Sequence, residues 1–144
     1  LPHGTNAPSF RDLHSSESQL PMHVTLTVCT TCTIPTEPAI GRDGERLAMA
    51  LEQQASARHS PPQIVRHECL WACSHSCAIL IRSRGQTGYL AGRFEPSAEA
   101  AAAILDWARA YGESPDGRVP YGCWPNGIKG HFIARIPVLE EETR

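Results

Sequence analysis

An alternating, β-branched run, His23-Val24-Thr25-Leu26-Thr27-Val28, leads straight into Cys29-Thr30-Thr31-Cys32, and a second apolar run, Gln63-Ile64-Val65-Arg66-His67, leads into Cys69, Cys73 and Cys77. Alternation at period two marks a half-buried strand. Between the two runs, Asp43 is a plausible N-cap for a helix through about His59, with Leu47, Leu51 and Ala55 on one face. A strand, a crossover helix and a second strand form a right-handed unit whose strands are parallel. Both strands then end on the same side, and five of the six cysteines gather at one edge of a sheet, where open α/β sheets commonly hold their ligands.

The rest of the chain extends this unit. Pro35 and Pro38 keep the stretch after Cys32 extended or looped, and Pro61-Pro62 closes the first helix. Residues 77–82 read as a third strand, Arg84-Gly85-Gln86-Thr87-Gly88 as a hairpin turn, and residues 89–94 as a fourth strand. After Pro96, an alanine-rich helix over residues 97–111 buries Ala100, Ile104, Leu105, Ala108 and Tyr111, with Gly112 as its stop signal. From Glu113 onward the turn chemistry of Pro115-Asp116-Gly117 and Trp124-Pro125-Asn126-Gly127 predicts an irregular extension, carrying at most one edge strand near Phe132.

With 144 residues the chain fits one domain with a core of its own, so a metal site is expected to be functional rather than a staple. The expected boundaries are a disordered extension over 1–21, a single domain over 22–139 and a tail over 140–144, with Met22, directly ahead of the first strand, as the native start. A net charge of −2, with 13 basic residues that are all arginine except Lys129, gives no electrostatic surface for nucleic acid. No apolar run reaches the length of a membrane span, and residues 1–21 lack the pattern of a signal peptide, so a cytoplasmic location is expected. In a reducing compartment, clustered cysteines are metal ligands or redox groups more often than disulfides, which disfavours an extracellular scaffold with three disulfides.

Thiolates are soft ligands that suit zinc, cuprous copper and iron-sulfur clusters. Cys29 and Cys32 have the spacing that lets two sulfurs chelate one tetrahedral ion. Cys69, Cys73 and Cys77 cannot all serve from a straight helix, whose rise would set the outer two about 12 Å apart. The simplest arrangement uses Cys69 and Cys73 on a turn, with Cys77 as an exchange ligand or a buried thiol at a strand start. Two pairs match a 2Fe-2S cluster, with two thiolates on each iron; one zinc ion with four thiolates satisfies the same count, although the longer second spacing favours the cluster. A dithiol redox motif is the third reading, but Ile34-Pro35-Thr36-Glu37-Pro38 opposes the immediate helix such a motif needs. His67 and His75 flank the second group, and Trp71 is expected to shield the site. Cys123, with no partner nearby in sequence, is expected to be a lone thiol. No catalytic constellation stands out.

The segments Val24-Thr25-Leu26-Thr27-Val28-Cys29-Thr30-Thr31-Cys32, Gly44-Glu45-Arg46-Leu47, Glu68-Cys69-Leu70-Trp71-Ala72-Cys73-Ser74-His75-Ser76-Cys77, Ser114-Pro115-Asp116-Gly117 and Ala134-Arg135-Ile136-Pro137 resemble the bacterial domain of unknown function 1636, a family of predicted metal-binding proteins. More remotely, Cys69-Leu70-x-x-Cys73 between two strands resembles the thioredoxin-like 2Fe-2S ferredoxins. That resemblance implies a thioredoxin-like α/β domain with a four-stranded mixed sheet, two main helices in the order β-α-β-β-β-α, and an electron-carrying 2Fe-2S cluster. It matches Cys29, Cys69 and Cys73 to cluster ligands. The remaining ligand of those ferredoxins falls where this chain has Ile40-Gly41-Arg42, which leaves Cys32 as the nearest replacement and Cys77 as the next. The family is often described near cobalt-corrinoid synthesis genes, which implies a one-electron donor to cobalt. The expected function is therefore an electron carrier without catalysis of its own. A zinc- or cobalt-binding delivery module, linked to cobalamin synthesis, is the main rival, and a thiol-disulfide oxidoreductase the other. The expected partners are a redox protein that the residues do not name and, as a homodimer, a second copy of the chain.

Overall fold

The structure, a computed structural model, describes residues 24–33 and 42–139. The expectations for residues 1–21, for Met22 as a start, for the loop around Pro35 and Pro38 and for the tail over 140–144 fall outside the described residues.

The crossover unit forms as its pattern dictates. Strand β1 (Thr25–Cys29) pairs in parallel with β2 (Gln63–His67), and helix α1 (Asp43–Ala55) lies between them in sequence. Alternation in β1 sends Leu26 and Val28 into the core and leaves Thr25 and Thr27 half-buried. The register sets Cys29 opposite His67, so the carboxyl ends of both strands lie side by side. On its other edge β1 pairs antiparallel with β3 (Ile79–Arg82), and β3 forms a hairpin with β4 (Gly88–Ala91). Helix α2 (Ala98–Glu113) begins where the Ser97 side chain accepts a bond from the Ala100 N–H, and it packs against α1. Leu47, Leu51, Ile104 and Leu105 are fully enclosed between helices and sheet, each contributing about 1.5–3 kcal/mol of apolar burial.

Five strands form the mixed sheet, in the order β2-β1-β3-β4-β5, and not four as the sequence led us to expect. The fifth, β5 (Phe132–Ile136), comes from the stretch expected to be an irregular extension and pairs antiparallel with β4 at the sheet edge. Its run is short, is broken by Arg135 and shows no clean alternation, so local pattern is weak. What recruits it is the free edge of β4 together with an aromatic cluster in which Phe132 packs against Tyr89, Trp107 and Trp124 with ring centroids 5.0–5.2 Å apart. The helix ends also shift. Helix α1 stops at Ala55, and the chain turns through residues 56–60, with Ser60 at φ 56°, to reach Pro61. Helix α2 passes through Gly112 to Glu113, and the Ser114 N–H bonds the Tyr111 carbonyl beyond it.

Among the described residues, no helix is long and apolar enough to cross a membrane.

Candidate metal centre

Cys29 is the last residue of β1, and the chain turns there because its neighbours anchor it on three sides. The Cys29 N–H bonds the Ala78 carbonyl at 3.1 Å, the Thr30 N–H bonds the His67 carbonyl at 2.8 Å, and the Thr31 hydroxyl donates to the Glu68 carbonyl. Helix α1 closes the floor: the Gly44 N–H bonds the Cys32 carbonyl at 3.0 Å, and a Cβ on Gly44 would fall 1.9 Å from the Cys29 carbonyl oxygen. Only glycine allows that approach. Cys29 and Cys32 are thereby held 2 % and 3 % exposed, and Cys77 is fully buried beside them.

The segment over residues 68–78 spans this pair. At its start, the Leu70 N–H faces the Cys29 sulfur, and the Cys29 thiol lies 3.8 Å from the Glu68 carbonyl. At its end, the Ala78 N–H and the Ser76 side chain lie beside the Cys32 sulfur and favour its charged form. Between these anchors Cys69 and Cys73 are exposed, Cys73 in a short 3-10 turn (Cys73–His75). The Trp71 N–H bonds the Cys69 sulfur at 3.3 Å, and the Ser76 hydroxyl bonds the Cys73 carbonyl at 2.9 Å.

The thiols differ sharply in character. Burial pushes Cys29 up, but the Cys32 thiol, the Leu70 N–H and Thr31 together outweigh it and hold Cys29 below the usual thiol range. Burial, and then the Cys29 sulfur, push Cys32 up to about 11. Cys77 is pushed to about 12 by burial first and then by the charges of Cys32, Asp43 and Cys29.

The structure therefore brings Cys29, Cys32 and Cys77 together inside and leaves Cys69 and Cys73 outside on the segment anchored across them. Among the described residues, no three His, Cys, Asp or Glu side chains are close enough as they stand to hold a metal ion. In kind the residues fit a thiophilic centre: soft donors converge on one strand edge, and backbone N–H groups of Leu70, Trp71 and Ala78 already point at sulfur. Trp71, expected as a shield, is 91 % exposed. His67 is exposed at the end of β2, its Nδ1 accepting the Cys69 N–H at 3.3 Å, and His75 is half-buried with Nδ1 3.0 Å from the Ser74 hydroxyl. Cys123 is exposed in the turn Tyr121–Cys123, and all six cysteines are free thiols.

The sequence reading missed Asp43 and Gly44 as parts of the site. Asp43 is the first helical residue, with Arg42 as N-cap; it is buried beside Cys77 and ion-paired with Arg46. The Asp43-Gly44 pair at a helix start carried the signal, but as helix chemistry rather than as a floor for cysteines. A groove of about 880 Å³ lies at the opposite end of the sheet, lined by Arg58, Arg84, Arg109 and Glu113 among others. Arg58 and Arg109 are already paired there with Asp106 and Glu113, and no thiol reaches it.

A sheet of this order with two helices and a cysteine-bearing edge defines a thioredoxin-like α/β protein, and a solved structure agrees. The thioredoxin-like [2Fe-2S] ferredoxin from Aquifex aeolicus superposes with a TM-score of 0.52 at 15 % identity, over 78 % of this chain and 91 % of that one. At that identity the likeness shows the shared fold. No curated protein matches the sequence. Residues 26–138 match the family described as protein of unknown function (DUF1636), and the chain belongs to that family.

Proposed function

We propose that this protein is a small cysteine-ligated metal protein whose centre is a 2Fe-2S cluster, working as an electron carrier. The observation that carries the reading is the pairing of a buried Cys29–Cys32 couple with a segment that bears Cys69 and Cys73 and is anchored against that couple at both ends. The fold shared with a thioredoxin-like [2Fe-2S] ferredoxin supports it. Cys29, Cys32, Cys69 and Cys73 would hold the cluster, with Cys77 buried behind them as the reserve thiol. When bound, the cluster supplies reversible one-electron exchange. The chain's own part is to stabilise thiolate charge through the N–H groups of Leu70, Trp71 and Ala78, to exclude water at Cys29 and Cys32, and to keep the Cys69 and Cys73 side open to a redox partner.

The test is the iron, acid-labile sulfide and zinc content, with a visible spectrum, of protein purified without oxygen. Two irons and two sulfides per chain with visible charge-transfer bands are the expected result. Zinc alone in a colourless protein would replace the electron carrier with a zinc- or cobalt-handling module. One observation favours a thiol-disulfide oxidoreductase as the second reading: Cys29 is held low while Cys32 is held high, the asymmetry that separates an attacking thiol from a resolving one. That reading requires disulfide reduction that disappears in Cys29→Ser while no metal is bound.

A further inference from the structure

Cys29, Cys32 and Cys77 are fixed parts of the core. Gly44 presses against the Cys29 carbonyl, and Cys77 exchanges backbone bonds with Phe94 in both directions, at 3.2 and 3.3 Å. The segment that carries Cys69 and Cys73 is built differently. From Trp71 to Ser74, among the described residues, every hydrogen bond it makes stays within residues 69–76: Trp71 N–H to Cys69 sulfur, Ser74 hydroxyl with His75 Nδ1, Ala72 carbonyl with the His75 N–H, and Cys73 carbonyl with the Ser76 hydroxyl. Its hydrogen bonds to the body lie at its two ends, from Thr31 to the Glu68 carbonyl on one side and from the Arg93 N–H to the His75 carbonyl on the other, and between them Leu70 and Ala72 rest half-buried against the core. Such a stretch is hydrogen-bonded to the body only at its ends and has a largely exposed crest. At its crest Trp71 stands almost wholly in water with φ 60°, a left-handed backbone conformation that a bulky side chain disfavours.

Four thiolates around a common centre require neighbours a few ångströms apart. The outer two cysteines do not stand close enough to the inner pair for that, and the inner pair cannot move outward without lifting β1 from α1. We infer that residues 69–76 form a flap that folds inward when a thiophilic cation is held, bringing Cys69 and Cys73 to the Cys29–Cys32 couple and taking Trp71 out of water. The inference rests on the cysteine-centre reading above and names the moving part of that centre. Trp71 then does in the closed form what its exposure prevents in the open one: it covers the outer pair.

The experiment uses the full chain, reduced and kept without oxygen, with zinc ion alone as the probe. A chelating indicator counts bound zinc, and acrylamide quenching of tryptophan fluorescence reports exposure. Trp107 is buried and Trp124 half-buried in the aromatic cluster, so the Trp71→Phe variant isolates the Trp71 signal by difference. On zinc binding the Trp71 emission should move to shorter wavelength, and its quenching constant should fall by roughly half or more, as an exposed indole becomes covered. Trp71→Phe should keep its zinc and lose the optical change; Cys69→Ser should lose both. Zinc bound by wild type with Trp71 as accessible as before would overturn the flap and leave the metal reading standing. A chain that neither binds zinc nor can be reconstituted with iron and sulfide would overturn the metal reading, and the flap with it.

Discussion

At the scale of single residues, Cys29 and Cys32 are both buried and yet are pushed in opposite directions, because the Cys32 thiol, with Leu70 and Thr31, favours charge on Cys29, while that same pairing adds to burial in raising Cys32. Cys77 shows what burial does without such donors. Its thiol, pushed up to about 12, stays protonated in the folded chain while the unfolded chain has already ionised above the ordinary thiol value. Stability from this group is therefore complete below that value and is lost as pH rises toward 12, with a limiting slope of about 1.4 kcal/mol per pH unit. Urea unfolding of reduced, metal-free protein should show a shallower alkaline loss of stability in Cys77→Ala than in wild type; equal slopes would mean that Cys77 is not shielded from water. Cys29 works in the opposite sense, favouring the fold above the ordinary value and losing that contribution as pH falls through its folded one. The exposed thiols divide by position. Cys69→Ser and Cys73→Ser should each lower metal affinity by about tenfold or more, since even groups behind the ligands act on that scale. Cys123→Ser, on the turn Tyr121–Cys123, should bind as wild type does in the same chelator competition.

At the scale of elements, the seating of α1 on the end of β1 makes the site. Gly44 is the contact point, and Gly44→Ala would place a methyl group 1.9 Å from the Cys29 carbonyl oxygen. The strand end or the helix start must give, at a cost of roughly 1–3 kcal/mol, and the Cys29–Cys32 couple shifts with it. Denaturant unfolding should report the loss, and metal affinity should fall in the same variant. Ser97→Ala offers the comparison: it removes the cap of α2, far along the chain from any cysteine, at about 1 kcal/mol. Its unfolding midpoint should fall while its metal binding stays unchanged, which separates general destabilisation from damage to the site. The strands and helices that surround this joint were legible, since β1, α1 and α2 each carry a clean period of two or 3.6 and β2 shows as a short apolar run set off by Pro61-Pro62. Strand β5 was read only as an optional edge strand near Phe132 and was left out of the four-stranded sheet, because an edge strand with one partner needs little pattern of its own and is selected by the open side of β4.

At the scale of the whole molecule, the two ends of the sheet are chemically distinct: thiols at the carboxyl ends of the parallel pair, arginines paired with carboxylates around the groove at the other. A ligand held by four cysteines from two separated segments, the end of β1 and the stretch between β2 and β3, would tie those segments together, so binding would belong to the native state and shift unfolding by mass action. With free zinc at about 100 times its dissociation constant, the gain is about 2.7 kcal/mol. The melting temperature should rise by roughly 8–15 °C and should return when a chelator removes the metal. A melting temperature indifferent to zinc, iron and sulfide would show that the cysteine edge serves thiol chemistry alone.

The crossover unit, the hairpin, the two helices and the placement of Cys29, Cys32, Cys69, Cys73 and Cys77 toward one edge of the sheet could all be read from the sequence alone. Periodicity is local, and the handedness of the crossover leaves one side for both strand ends. Which of those thiols lie inside follows from long-range packing. Burial at Cys29 depends on Gly44, and burial at Cys77 on Phe94 and the neighbourhood of Asp43, residues set far away along the chain and brought near by the packing of α1 and the sheet. The same holds for Trp71: its place between two cysteines suggested a cover, whereas the segment that carries it bonds to the body only at its ends and stands it in water.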